Sequence, residues 1–176
     1  MLPAGLIGPG ANAPATGTLI SVPGGTAGVQ RTLMLMVDLV RTFKTDLNVR
    51  NLAVTLVHAC APKDKRCELD TLQQYVRDQV RYVNDIDGVE TLQTPVQTLK
   101  LQAGDCDDKA VLLAALAATI GFATRFCAIG VRGQDFSHVM AQARLGSGWI
   151  NAETIVPGAE LGWFPPDATC VMLAHV

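Results

Sequence analysis

No stretch of this chain approaches the roughly 18 uninterrupted apolar residues that a membrane span requires, so no transmembrane helix is expected. The first residues have no charged start and are broken by Pro3, Gly5, Gly8 and Pro9, which is not the pattern of a secretory signal. An excess of either charge is missing too. Fourteen Lys and Arg against 16 Asp and Glu leave a net charge of -2, and neither nucleic acid nor an anionic membrane surface is expected as partner. Internal repeats are absent, and so is a composition break that would mark a second domain. Residues 1–28 carry no charged side chain and are rich in Gly, Pro, Ala and Thr. Such a segment cannot bury a core of its own, so it is expected to be an extended arm or to lie against a partner.

The chain of 176 residues is 49% hydrophobic, and residues 29–176 suit one domain with a real core. Cysteine is sparse, odd in number and irregularly spaced. His58, Cys60 and Cys67 cluster loosely but match no standard zinc spacing and lack a fourth ligand, so a metal module there ranks behind other readings and no cofactor is expected. Reduced thiols, a cytoplasmic setting and no disulfide framework follow as the expectation.

Helical spacing begins near Val29, with Leu33, Met36, Val37 and Val40 on one face. A second helix is expected over Val49–Cys60, with Leu52, Leu56 and Ala59 inward, ending before Pro62. A third is expected over Glu68–Val83, with Leu69, Leu72, Tyr75, Val76, Gln79 and Val83 inward. Asn84 to Gly88 breaks it and opens a polar connection reaching Gly104. A fourth helix follows from Cys106, with Asp105 as N-cap and Gly121 as its C-terminal stop. Beyond Phe122 the period changes to two, and Ala123–Val131, Phe136–Leu145 and Gly148–Val156 read as strands. Helices followed by a strand meander predict an α+β domain in which a cysteine-bearing central helix packs on an antiparallel sheet.

Three residues in this layout carry chemistry. Cys106 falls in the first turn of an apolar helix, where unpaired N–H groups and the helix dipole favour a thiolate and could stabilise an oxyanion. Asp105, Asp107 and Asp108 oppose this unless engaged elsewhere, by capping the helix or by binding upstream Arg and Lys. His138 lies on the second strand. Taking Gly146-Ser147 as a two-residue hairpin loop pairs Leu145 with Gly148, which makes His138 and Glu153 diagonal neighbours on one face. A slip of one residue would separate them. Nucleophile, base and orienting acid are thus expected at Cys106, His138 and Glu153. The bland alternatives are a half-buried thiol, a satisfied core histidine and a solvent-facing glutamate.

Several stretches resemble the transglutaminase-like superfamily, in particular its short phage and prophage members. They are Val80-Arg-Tyr-Val-Asn-Asp85, Val89-Glu-Thr-Leu-Gln-Thr-Pro95, Gly104-Asp-Cys-Asp-Asp-Lys-Ala110, Ile120-Gly-Phe-Ala-Thr-Arg125, Phe136-Ser-His-Val-Met-Ala141, Gly148-Trp-Ile-Asn-Ala-Glu153 and Leu161-Gly-Trp163. The resemblance implies a papain-like core with Cys106 as nucleophile, His138 as base and Glu153 as acid, where members of the family usually carry Asp. It supplies no definite further oxyanion donor; Gln97 and Gln102 are weak candidates. It implies acyl transfer from a peptide or isopeptide amide through a thioester, with water or an amine as acceptor. It also implies a bacterial host cell and a tail or virion context, with other virion proteins as partners through residues 1–28 and the C-terminus. The rival expectation is a silent assembly component that keeps the fold without the chemistry.

Overall fold

The computed structural model describes residues 24–85, 91–133 and 135–176. Most of the expected arm, residues 1–23, and residues 86–90 of the polar connection lie outside the described residues. Helix α1 spans Gly25–Phe43 and buries Leu33, Met36, Val37 and Val40, the face its spacing predicts. It begins four residues before Val29, so residues 25–28, assigned above to the arm, form its first turn.

Helix α2 (Leu47–Val57) is capped by Asp46, which accepts from Asn48 N and Val49 N. It ends three residues short of Cys60, which is joined to Cys67 of the next helix in a disulfide. This corrects the expectation of wholly reduced cysteines and removes both sulfurs from the loose metal cluster. Its inner face is also corrected: Val49 and Ala53 are buried, Leu52 and Leu56 are half-buried, and Ala59 is exposed beyond its end. Helix α3 (Lys65–Gln79) starts earlier than expected, at the cap Asp64, and buries Leu69, Leu72, Gln73 and Val76. Gln79 and Val83, expected inside, are exposed. Gln79 is the last residue of the helix, and by Val83 the chain has left it: strand β1 (Arg81–Tyr82) pairs in parallel with β2 (Ala103–Gly104).

The polar connection contains a helix that periodicity did not reveal, α4 (Pro95–Leu101). Thr94 caps it by accepting from Gln97 N, and Pro95 occupies the first turn, where a missing N–H costs nothing. Helix α5 (Cys106–Thr119) is apolar all round and buried from Asp107 to Ala117. A helix without a polar face belongs in the centre. The other four helices pack against it from one side and the sheet from the other. Gly121, at φ 93°, lets the chain turn out of this helix.

The antiparallel sheet has the order β5-β4-β3-β6. Its members are β3 (Thr124–Val131), β4 (Phe136–Leu145), β5 (Gly148–Ala152) and β6 (Ala168–His175). The hairpin register is the predicted one, with Leu145 opposite Gly148 and Ala141 opposite Ala152. Strand β5 ends at Ala152, four residues before the expected Val156. The C-terminal residues form the edge strand β6, bonded to β3. Phe126, Ala128, Val139, Ala141 and Ala143 of the sheet join the helices in one core.

Candidate active site

The turn entering α5 is built by its acids. Asp105 Oδ1 accepts from the N–H groups of Asp107 (3.0 Å) and Asp108 (3.1 Å), capping the helix as expected. Asp108, 1% exposed, is held by Gln93, whose backbone N–H (2.7 Å) and side-chain Nε2 (2.6 Å) both donate to it. Its partner is therefore an amide, where an upstream Arg or Lys was an option. Burial pushes the Asp108 carboxyl up against these bonds. Gly104 must be glycine for this turn to form, because a Cβ there would lie 2.6 Å from Asp108 Cβ.

Cys106 thus stands at the head of α5, with its Sγ 3.2 Å from Asp107 Oδ1 and bonded by the backbone N–H of Val139. Burial raises the pKa of its thiol strongly, and Asp107 and Asp105 push in the same direction; the Val139 N–H only partly offsets them. The resting thiol is protonated. Burial and the two adjacent carboxylates thus oppose the thiolate that the helix dipole favours, the opposition expected from Asp105 and Asp107. The oxyanion expectation changes as well. The N–H groups of Asp107 and Asp108 are committed to Asp105, and neither Gln97 nor Gln102 lines the cavity beside the thiol.

That cavity holds about 440 Å³ and lies between the first turns of α1, the head of α5 and the start of β4. Gly28, Thr32 and Met36 line it on one side, and Cys106, Phe136 and His138 on the other. The contribution of α1 had no signal in the sequence beyond an ordinary core face.

His138 Nε2 is 2.7 Å from Glu153 Oε2. Its Nδ1 is buried and has no hydrogen-bond partner among the described residues. Since an ionised carboxylate can only accept, Nε2 is the donor of this bond, and in the neutral ring Nδ1 is then the nitrogen with the lone pair. Glu153 is fully buried, and its Oε1 accepts from Ile155 N at 2.6 Å. Burial raises the carboxyl, but the hydrogen bond and charge of His138 and the N–H groups of Ile155 and Thr154 outweigh it, so its pKa falls below the usual carboxylate value. A solvent-facing glutamate is thereby ruled out.

Two buried polar side chains in the same region were not singled out from the sequence. Gln73 of α3 donates Nε2 to the carbonyls of Glu153 (2.7 Å) and Ala159 (2.8 Å). Lys109, 1% exposed, donates Nζ to Val80 O (2.6 Å) and Arg77 O (3.2 Å) at the end of α3. Burial lowers its pKa to about 8 against the pull of Glu153 and Asp78. The described residues contain no His, Cys, Asp and Glu group that could hold a metal ion.

This arrangement of helix and sheet is similar to that of known structures. A candidate protease from Parabacteroides distasonis superposes with a TM-score of 0.59 at 10% identity, over 81% of this chain and 32% of that one. A candidate cysteine protease from Cytophaga hutchinsonii gives 0.54 at 17% identity, over 80% and 56%. LapG of Legionella pneumophila gives 0.54 at 15% identity, over 77% and 80%. The chain therefore spans about a third of the first protein and just over half of the second, and at these identities the likeness is one of fold. No protein of curated function matches the sequence. The family model of the transglutaminase-like superfamily matches residues 51–154, which include Cys106, His138 and Glu153, and the chain belongs to that superfamily.

Proposed function

We propose that this protein is a cysteine-dependent acyl-transfer enzyme acting on a peptide or isopeptide amide, with water as acceptor. The observation that carries this reading is the state of His138: Nε2–H is taken by buried Glu153, while Nδ1 is unpartnered on a ring that lines the same cavity as Cys106. An imidazole so held is a base waiting for a proton.

The proposed reaction runs as follows. Cys106 Sγ attacks the amide carbonyl carbon as its proton passes to His138 Nδ1. The imidazolium, stabilised by Glu153, returns that proton to the leaving nitrogen as the C–N bond breaks, leaving a thioester. Water then attacks the thioester, giving its proton to Nδ1, and the acid product leaves as Sγ recovers a proton. Because the resting thiol is protonated, proton transfer accompanies attack; no preformed ion pair is needed. Residues 29–176 act as one unit in this reading.

Treatment with a peptidyl vinyl sulfone, followed by peptide mass spectrometry, tests it. Cys106 is expected to label well ahead of Cys127 and Cys170, and His138→Ala is expected to abolish the difference. Equal, slow labelling of the three thiols would refute the proposal.

The carboxylates crowding Cys106 favour a second reading, a silent fold retained for assembly. A phage tail or virion setting belongs to either reading and is supported by sequence resemblance alone. The silent version expects Cys106→Ala to leave assembly with virion partners intact while removal of residues 1–23 abolishes it; co-purification of the truncated protein with its partner would end it.

A further inference from the structure

Helix α3 faces the segment after β5 with polar side chains. Gln73 is fully buried, yet it lies on a helix face otherwise made of Leu69, Leu72 and Val76. Its two amide hydrogens go to two carbonyls six residues apart, Glu153 O at 2.7 Å and Ala159 O at 2.8 Å. Arg77, one turn later on α3, also donates to Ala159 O, at 2.6 Å. The Gln73 carbonyl has no partner among the described residues. A buried amide that satisfies its donors and leaves its acceptor empty is a poor choice for stability, since an apolar side chain of the same volume would pack without that penalty. What an apolar residue would not supply is a fixed position for the Glu153 backbone.

That position matters because regular pairing stops at Ala152, one residue before the acid. Beyond the ladder the main chain at Glu153 is held by Gln73, and the side chain by Ile155 N and His138. We propose that Gln73 is a positioning residue, which by pinning the carbonyls of Glu153 and Ala159 keeps the Glu153 carboxylate on His138 Nε2 and so leaves Nδ1 as the basic nitrogen. The proposal rests on the acyl-transfer reading for its purpose, but the effect on the imidazole is independent of turnover.

The chain has three histidines, so nitrogen-15 labelling of histidine and a His138→Gln reference assign the His138 ring signals. The wild-type ring is expected to carry its proton on Nε2. In Gln73→Met the expected result is a mixture of Nε2–H and Nδ1–H forms, and vinyl sulfone labelling of Cys106 slower by about 10²-fold, the scale of a misplaced catalytic group. Arg77→Met, which spares the bond to Glu153 O, is expected to leave the tautomer unchanged.

A folded Gln73→Met protein with an unchanged His138 tautomer would overturn the proposal. If that variant does not fold, Gln73→Asn serves in its place under the same criterion, and failure of both to fold would also overturn it, by making Gln73 a residue of the core alone. A tautomer shift in Gln73→Met together with wild-type Cys106 that labels no faster than the other thiols would uphold the positioning role while refuting the acyl-transfer function.

Discussion

His138 Nε2 lies 2.7 Å from Glu153 Oε2, inside the protein, and the opposite ring nitrogen of His138 has no partner among the described residues. One carboxylate thereby decides which nitrogen of the imidazole is basic. Glu153→Gln offers Nε2 an amide that can present either its oxygen or its NH₂, so the tautomer is no longer specified. The reaction of Cys106 with an acylating or vinyl sulfone probe is expected to slow by about 10²–10⁴-fold, the usual contribution of a positioned acid–base group. Stopped-flow or mass-spectrometric rates would show this, and a rate within a factor of two of wild type would remove Glu153 from the mechanism.

Asp107 accepts from the Cys106 thiol and, after burial, is the largest cause of its raised pKa. Asp107→Asn removes a negative charge at that distance and keeps the volume. Alkylation of Cys106 by iodoacetamide, followed against pH, is expected to be slow in the wild type at pH 7 and to climb into the alkaline range. In Asp107→Asn the profile is expected to move to lower pH. Superimposable profiles would mean that the carboxylate does not control the thiol.

The ammonium of Lys109 is buried, and its pKa falls to about 8 from an ordinary 10.5. Between those values the unfolded chain holds the proton and the folded chain does not. Stability contributed by this group therefore rises with pH across the window from about 8 to 10.5 and is lowest below it. Urea midpoints at pH 7.5 and 9.5 for wild type and Lys109→Met give the comparison. The wild type is expected to gain relative to the variant at the higher pH; parallel midpoints would mean that Lys109 has the same pKa folded and unfolded.

A methyl group on residue 104 would sit 2.6 Å from Asp108 Cβ, on a side chain that Gln93 holds with two bonds. Gly104→Ala therefore has to displace the turn that presents Cys106. Overpacking of this kind costs about 1–3 kcal/mol, and a guanidinium melt monitored by circular dichroism would register it. A wild-type midpoint in Gly104→Ala would show that the turn yields freely.

Local chemistry made much of this protein legible. Asp105 caps α5 because the chain order places a short acceptor directly before an apolar run. The register of β4 and β5 follows from a two-residue loop and a period of two as far as Ala141 and Ala152, where the ladder ends before the expected pairs of Met140 with Glu153 and His138 with Ile155. Helix α4 was equally local, announced by Thr94 and Pro95, but its seven residues are too few for a periodic face. Strand β6 has apolar residues on both alternating sets, Val171 and Leu173 outward and Met172 and Ala174 inward, so alternation gave no cue.

By itself the sequence determined the α+β order, the cap and turn that start α5, and the hairpin pairing from Leu145 and Gly148 to Ala141 and Ala152 that brings the chain to the edge of Glu153, since each depends on residues close together in the chain. Only the tertiary structure decided that Cys60 bonds Cys67, that the cavity borrows its wall from α1, that Gln73 reaches Glu153 across 80 residues, and that the Cys106 thiol is held protonated. The physical reason is the same for the last three. Burial and long-range contact are set by where whole helices come to rest on the sheet, and no short segment encodes its own desolvation.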